Sequence, residues 1–469
     1  MVAFMEILNF IDGVFTQPTS TEFFVQERPF ADRSDVKVAN SSQLDFVKAL
    51  QGSHIAFNEW KESSIADRSA LLEKISSYLA VNKNKFAELE ALDQGLNFDF
   101  SVKANINIAL AQLNQFKHEL ESPRAADEIA NPVGVVGVIL SWNLSTRLFV
   151  EKVIPALLAG NSVIVKVSSS APATAQLWGE LFQSVGLGKG LVQILHSQDA
   201  NFKKLMITHP GIKALSFTGS LESSAEVIKS VAQVSGQQFK KLQINSGTKN
   251  TAAILNDVSE ADMELILESF LQGQGQLAWN SSRLFILEKN EKIWTDFVAH
   301  KLQDLKPSSG VHDKSMWTPL VRNKYIENFR SLENQAVSDQ AKIITVAQKP
   351  SGAQFVEPFF TKDMSNCSTL QQDQVMGPAF VISVVKYPFD IPKYSNVSYF
   401  GHSANVWTEL GKNQKTIKQL DVGHVSLNQW SIFYEGPISG VKQSAFGVTD
   451  RQIFGAFFSN VKKISSLSY

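Results

Sequence analysis

Apolar residues in the middle of the chain form short continuous runs that alternate with stretches of helical spacing. Residues 133–140 form a continuous apolar run rich in β-branched residues, typical of a strand buried on both faces, and residues 162–167 predict a second buried strand. Three further strands are predicted over residues 191–195, 212–217 and 239–244. Between them, apolar residues recur three and four positions apart over residues 148–158, 173–185, 200–208 and 221–234. This alternation predicts an α/β fold with a doubly wound parallel sheet, in which ligands bind beyond the carboxyl ends of the strands.

The flanking segments extend this pattern. The first 60 residues predict short strands and turns that end in a helix over 42–60, and residues 64–120 have helical spacing. A second α/β unit is expected from residue 247 onward, with helices and strands over residues 260–272, 283–287, 292–305, 375–386 and 403–408. Residues 123–132 predict a hairpin or projecting arm, and residues 461–467 predict an edge strand available to a neighbouring subunit.

The composition is that of an ordinary globular protein, and 469 residues are enough for two or three domains. The net charge of -1 favours neither nucleic acid nor an anionic membrane as partner. The single cysteine, Cys367, excludes an internal disulfide framework, and His54, His196 and His402 lack metal-ligand spacing, so we expect no metal site. Residues 1–15 lack the basic lead of a signal peptide, and no apolar run is long enough to span a membrane, so we expect a cytoplasmic protein.

The ends of the predicted strands carry motifs in a characteristic order. These motifs span residues 131–143, 155–166, 186–190, 217–220, 245–250, 275–283, 377–378 and 437–447. Together they resemble the aldehyde dehydrogenase superfamily over nearly the whole chain. The resemblance implies three parts, which are a nucleotide-binding domain (1–116 and 133–246), a catalytic-type α/β domain (247–441), and a small β oligomerisation arm with its tail (117–132 and 442–469). It also implies a homodimer or homotetramer.

The resemblance further implies which residues would carry the reaction. In that family a cysteine thiolate attacks an aldehyde, and an asparagine side chain and the cysteine N–H hold the oxyanion. Hydride passes to a nicotinamide, and a glutamate then activates the hydrolytic water. The matching asparagine is Asn143, but the nucleophile position holds Ala278 and the base position holds Asn245. Neither of these two side chains can perform its step near neutral pH.

Other nucleophiles are poor replacements for the missing cysteine. Cys367 lies far along the chain from the motif and is expected to be a surface or packing residue. Ser281 and Ser282 are near Ala278 in sequence, but neither has an adjacent base.

The cofactor positions implied by the resemblance are partly retained on the adenosine side. Lys166 matches the lysine that holds the adenosine ribose, with a solvated lysine as the alternative interpretation. Ser169 replaces an acidic residue that would repel a 2′-phosphate, so a site that holds NAD should also tolerate NADP. Thr218, Gly219 and Ser220 are placed to meet a pyrophosphate, with a plain helix N-cap as the alternative for Ser220.

The nicotinamide side departs further from the family. Gln374 stands for a glutamate on the nicotinamide ribose and Met376 for a phenylalanine, and Ser141 stands for the turn proline beside Trp142. The family's glycine after the third strand falls at His196 and Ser197. We therefore expect weak binding of NAD or NADP. Three tryptophans, at positions 142, 279 and 430, are expected either to line a substrate tunnel or to pack in the core.

Two hypotheses follow. The first is a non-catalytic relative that persists as an oligomeric or ligand-binding protein and can hold a small aldehyde-like molecule. The alternative is an active NAD(P)-dependent aldehyde oxidoreductase with a rearranged active site, which Asn143 and Lys166 favour.

Overall fold

The structure is a computed structural model, and it describes residues 5–30, 36–123, 127–236, 238–348, 350, 354–362, 364–436, 438–448 and 452–465. Parts of the predicted arm (124–126), of the last motif (residue 437) and of the tail strand (466–467) lie outside these residues.

The strands, in chain order, are β1 (Met5–Ile7), β2 (Asn9–Ile11), β3 (Val14–Thr16), β4 (Phe23–Val25), β5 (Val36–Ala39), β6 (Glu128–Pro132), β7 (Val135–Ile139), β8 (Ser162–Lys166), β9 (Val192–Leu195), β10 (Ala214–Thr218), β11 (Lys241–Asn245), β12 (Asn250–Ile254), β13 (Ser281–Leu287), β14 (Ile344–Thr345), β15 (Phe359–Lys362), β16 (Ala379–Val385), β17 (Phe400–Gly401), β18 (Ser403–Trp407), β19 (His424–Leu427), β20 (Val441–Lys442), β21 (Ala445–Gly447) and β22 (Ser459–Lys463).

The helices are α1 (Gln43–Trp60), α2 (Ile65–Val81), α3 (Lys83–Gln94), α4 (Phe98–Ser101), α5 (Asn107–Glu121), α6 (Ser145–Lys152), α7 (Ile154–Leu158), α8 (Pro172–Ser184), α9 (Ala200–Thr208), α10 (Leu221–Gln233), α11 (Glu260–Leu271), α12 (Glu291–Asp304), α13 (Asn323–Ser338), α14 (Thr369–Gln372), α15 (Asp390–Ser395) and α16 (Gln414–Lys418). A π-helical turn (Val102–Ile106) joins α4 to α5, and a 3₁₀ turn (Gln272–Gly275) follows α11.

The first large sheet has eight strands in the order β21-β11-β10-β7-β8-β9-β2-β3. The five central strands are parallel, and the strands added at the two ends are antiparallel. Alternate side chains of β8 face opposite helical layers, since Val163 and Val165 join the cluster packed by α2, α5 and α8, whereas Ile164 joins the cluster packed by α1 and α9. Both faces of the sheet are therefore covered, and the predicted α/β fold with a doubly wound parallel sheet is confirmed.

The second large sheet has seven strands in the order β14-β15-β16-β13-β12-β18-β19, parallel except for β14. Its β12 begins five residues after β11 of the first sheet ends, so the chain passes directly from one sheet to the other. A small antiparallel pair joins β6 to β22, with Ala130 opposite Val461. The tail strand thus pairs with the predicted arm of its own chain.

Two predicted strand boundaries were wrong. The strand predicted over 239–244 begins at Lys241, and Phe239 is exposed outside the sheet. The strand predicted over 461–467 ends at Lys463, and residues 464 and 465 continue without strand structure. Residues 64–120 form several helices, in agreement with their helical spacing, since Gly95 ends α3 with φ of +70° and the π-turn joins α4 to α5.

Candidate functional site

The predicted site residues of the first sheet lie along one edge, where its parallel strands end. In the strand register, Asn245 is opposite Thr218, and Lys166 is opposite both Ile139 and Leu195. The segment 141–143 follows β7 and His196 follows β9, so both belong to the same edge. The fold therefore places the predicted ligand-binding positions where open α/β sheets bind ligands.

The predicted oxyanion donor Asn143 is held by its own turn. The Ser141 hydroxyl donates to Asn143 Oδ1 at 2.5 Å, which directs the amide nitrogen away from Ser141. The next residue, Leu144, has φ of +51° and donates its N–H to Gln94 Oε1 at 2.9 Å. This buried hydrogen bond holds a backbone conformation that few residues adopt, and it fixes the turn that carries Asn143.

A buried polar network also supports the turn that carries Asn143. The Glu90 carboxylate accepts hydrogen bonds from the Thr146 N–H and hydroxyl and from the Asn105 and Gln94 side chains. Asn105, which the π-turn carries, also accepts from the Arg147 N–H at 2.9 Å. Sequence reasoning missed these groups, because the contacts of Glu90 with Thr146 and of Asn105 with Arg147 join residues that are 56 and 42 positions apart.

The segment around Ala278 is the loop that precedes β13 of the second sheet. The Ala278 carbonyl accepts from Asn250 Nδ2 at 2.8 Å, and the Leu277 N–H donates to Asn280 Oδ1 at 2.7 Å. Ala278 and Leu144 belong to one apolar cluster, so the turn of Asn143 and the segment of Ala278 pack together. The structure thus joins these two predicted site segments, although about 130 residues separate them.

Two of the three predicted tunnel tryptophans pack against Ala278 and its neighbours. The Arg147 guanidinium lies 4.3 Å from the Trp279 ring and donates to the Ile432 and Tyr434 carbonyls. Trp430 is fully buried, and its indole N–H donates to the Trp279 carbonyl at 2.7 Å. These side chains are core packing, which was the alternative interpretation.

Asn245 ends β11 at the position predicted for the base. Its carbonyl accepts from the Gly219 N–H at 3.1 Å, and β21 lies against its other side. A Cβ atom on the following Gly247 would lie 2.8 Å from Gln374 Oε1, so Gln374 packs closely against this loop. The predicted nicotinamide-side position and the predicted base position are therefore neighbours.

Lys166 is partly buried at the end of β8, and its ammonium donates to the Val167 carbonyl at 3.3 Å. Burial and the nearby charges of Lys203 and Arg322 lower its pKa to about 8. Ser169 accepts a hydrogen bond of 2.8 Å from Arg322, a residue that sequence reasoning did not select. The alternative of a freely solvated lysine does not describe Lys166.

His196 is buried at the end of β9 beside Lys166. Burial, together with the positive charge of Lys166, lowers its pKa to about 3. Its Nδ1 atom has no hydrogen-bond partner among the described residues. The ring is therefore neutral, and it lies at the position that the resemblance matches to a glycine.

Of the other predicted cofactor residues, Trp142 and Ser220 form hydrogen bonds within the protein. The Trp142 indole N–H donates to the Tyr325 hydroxyl at 3.3 Å, and its ring packs with Ala171 and Val321. Ser220 is an N-cap whose hydroxyl accepts from the Ser223 N–H at 3.2 Å. The Thr218 hydroxyl is buried without a partner in the described part of the chain.

The alternative nucleophiles lie in unsuitable surroundings. Cys367 is exposed and lines a surface groove with Gln335 and Met364. The Ser281 hydroxyl accepts from Asn405 at 3.0 Å, which is not a base. Among the described residues there is no group of three or more potential metal ligands, and no helix of the described ranges has the length and apolar character that a membrane span requires.

Comparison with known proteins identifies the family. The model of the aldehyde dehydrogenase family matches residues 15–464, and the chain therefore belongs to this family.

Its relatives match over the whole length. A human 2-aminomuconic semialdehyde dehydrogenase is 27% identical, with 99% of this chain and 98% of the relative covered. A 2-hydroxymuconic semialdehyde dehydrogenase of Pseudomonas sp. (strain CF600) is 24% identical, with 98% and 99% covered. The NAD+ complex of aldehyde dehydrogenase from Bacillus cereus is similar in fold, with a TM-score of 0.90, 22% identity, and 98% and 97% of the two chains covered.

Proposed function

We propose that this chain is a non-catalytic member of the aldehyde dehydrogenase family that binds NAD or NADP weakly and holds an aldehyde-like ligand without oxidising it. The single observation that carries the proposal is the methyl side chain of Ala278 at the position of the nucleophile. Without a thiolate no thiohemiacetal forms, and hydride transfer has no covalent intermediate from which to proceed.

The rest of the site supports the same conclusion. Asn245 has no basic atom to activate water. Ser141 is the hydroxyl beside Asn143, but it donates to an amide oxygen, which cannot take its proton. The chain would thus lack both the nucleophile and the base, while the two oxyanion donors, the Asn143 amide and the Ala278 N–H, could still bind a carbonyl or carboxylate oxygen.

Weak dinucleotide binding is the second part of the proposal. The Bacillus cereus relative was solved with NAD+, and Lys166 retains the position of the adenosine-ribose lysine. On the nicotinamide side, Gln374 lacks the negative charge that the family uses, and the Trp142 indole is occupied by Tyr325. Residues 1–116 and 133–246 would form the nucleotide-binding domain and residues 247–441 the catalytic-type domain.

Self-association is the third part. The pair β6–β22 presents the exposed apolar side chains Ile129 and Val461, and a two-stranded pair cannot bury its own edges. Residues 117–132 and 442–469 would act as the oligomerisation arm and tail. Light scattering is expected to give two or four times the chain mass of 51.9 kDa, and a monomer would contradict this part.

The test of the function uses purified protein, a panel of aldehydes, and NAD or NADP. We expect no NADH or NADPH formation above background, whereas turnover on the order of 1 s⁻¹ would establish the alternative of an active oxidoreductase. That alternative is favoured by the relatives, which are named as dehydrogenases.

Restoration separates the two missing roles. Ala278→Cys alone should give one equivalent of reduced cofactor and then stop at the thioester, because the base is absent. Ala278→Cys with Asn245→Glu should turn over. Turnover by the single variant would show that another group serves as the base, and folded variants without any burst would contradict the assignment of Ala278.

A further inference from the structure

A small acidic cavity lies where α5 and α6 meet two segments from the C-terminal part of the chain. Its volume is about 160 Å³. Its described lining consists of the acidic residues Glu119, Glu151 and Glu435, the aromatic residue Phe116 and three glutamines, and it includes no lysine or arginine. None of these residues belongs to the predicted cofactor or carbonyl positions. The charge of the lining favours a positively charged ligand.

Gln112 contributes an unsatisfied acceptor to this cavity. The residue is 3% exposed, and its Nε2 donates to Glu151 Oε1 at 3.0 Å. The other end of the amide, Oε1, has no hydrogen-bond partner among the described residues. A buried carbonyl oxygen without a donor is unfavourable, so a ligand that brings N–H groups into the cavity would satisfy it.

The nearest described cation offsets one of the three carboxylates. Arg147 Nε donates to Glu151 Oε1 at 3.0 Å, and the two Nη atoms of Arg147 donate to the carbonyls of Ile432 and Tyr434. Glu119 and Glu435 add two further negative charges to the lining. Negative charge is therefore in excess among the described residues around the cavity.

The acidic groups are spread along the cavity. Gln112 and Glu151 are buried, Glu119 is half-buried, and Glu435 is exposed at the mouth. The described residues contain no group of three or more side chains that could hold a metal ion, so these carboxylates do not gather around a single ion. The ring of the buried Phe116 adds an apolar wall. This arrangement fits an elongated ligand with a cationic group at each end and methylene groups between them.

We propose that this cavity binds a small aliphatic diamine. One ammonium group donates to Gln112 Oε1 beside Glu151, and the other lies between Glu119 and Glu435 at the mouth. The size agrees with such a ligand, since a cavity of about 150 Å³ accepts benzene, which has as many heavy atoms as butane-1,4-diamine. The site is separate from Ala278 and does not depend on the function proposed above.

Calorimetric titration of the full chain with butane-1,4-diamine tests the site, in the absence of nucleotide and aldehyde. We expect saturable binding of one diamine per chain that weakens as salt is added, because the attraction is between charges. Butylamine, which lacks the second ammonium group, should bind at least about tenfold more weakly. Butane-1,4-diol has the same length and no charge, and it should not bind.

Three variants locate the ligand in the cavity. Gln112→Met removes the acceptor at nearly constant volume and should lower the affinity for the diamine at least about tenfold, the effect of losing a hydrogen bond to a charged group. Glu435→Gln removes an exposed charge at the mouth and should lower the affinity severalfold. Glu121→Gln changes an exposed acid of α5 that does not line the cavity, and it should leave the affinity unchanged.

Several outcomes would overturn the diamine site. These are no saturation at millimolar diamine, equal binding of the diol, and an unchanged affinity in folded Gln112→Met and Glu435→Gln. If Gln112→Met does not fold, the exposed position 435 decides the question. Displacement of the diamine by an equal concentration of Mg²⁺ would show a metal site instead. Each of these results would leave the proposed function standing, because the titration contains neither dinucleotide nor aldehyde.

Discussion

The pair formed by Ser141 and Asn143 sets the orientation of the predicted oxyanion donor. A hydroxyl that donates to Oδ1 leaves the two amide hydrogens on the opposite end of the side chain, directed away from the turn. The resemblance matches Ser141 to a proline, which would fix the turn through its ring but would leave the amide without this partner. Ser141 therefore stabilises the turn through a side-chain hydrogen bond and not through a rigid ring.

A double-mutant cycle measures that bond. Ser141→Ala, Asn143→Ala and the double variant should give a coupling of about 1 kcal/mol in the free energy of unfolding, the usual net value of a hydrogen bond between neutral groups. Urea denaturation of the four proteins provides the numbers. A coupling near zero would show that the contact does not persist in solution and that Asn143 is not held by Ser141.

At the scale of elements, the loop that carries Ala278 depends on glycines. Gly275 has φ of +64°, and a Cβ atom there would collide with the carbonyl oxygen of Gly377. Gly377 lies in the loop that leads into β16. Gly186 has a similar φ of +70°, but a Cβ atom there would have no neighbour within 4 Å. The two positions therefore share the backbone strain and differ only in the steric contact.

Alanine substitutions separate these two costs. Gly186→Ala should lower the free energy of unfolding by about 1 kcal/mol, the cost of a left-handed conformation. Gly275→Ala should lower it by about 3 kcal/mol, because about 2 kcal/mol of overpacking is added. Equal losses in urea denaturation would mean that the loop shifts freely and that the position of Ala278 is not fixed by Gly377.

Some strands and site residues could be predicted from the sequence, whereas contacts between distant segments could not. Apolar runs placed β7 and β8 within two residues of their observed ends, because strands buried on both faces need such runs. Lys166 and Asn143 followed from motifs at the ends of those strands. The contacts of Arg322 with Ser169 and of Tyr325 with Trp142 had no local signal, since 153 and 183 positions separate the partners. The π-turn that carries Asn105 could not be predicted either, because the spacing of apolar residues does not distinguish it from an α-helix.

For the whole molecule, His196 couples folding to pH. In the folded chain the ring is buried next to Lys166 and its pKa is about 3, whereas the unfolded chain has the ordinary value of 6.5. Between these values the unfolded chain binds one more proton, so protonation favours unfolding. The contribution of the neutral ring is complete above pH 6.5 and is lost as the pH falls toward 3.

Comparison with His196→Asn isolates this contribution, because every other titrating group is common to both proteins. Each pH unit below 6.5 should cost the wild type about 1.4 kcal/mol relative to the variant, or about 2 kcal/mol between pH 6.5 and pH 5. Urea denaturation at pH 7 and pH 5 gives the four free energies. If the difference between the two proteins did not change with pH, the ring would be exposed to solvent in the folded state. The end of β9 would then be open, and the adenosine side of the cleft would have room that the buried imidazole now fills.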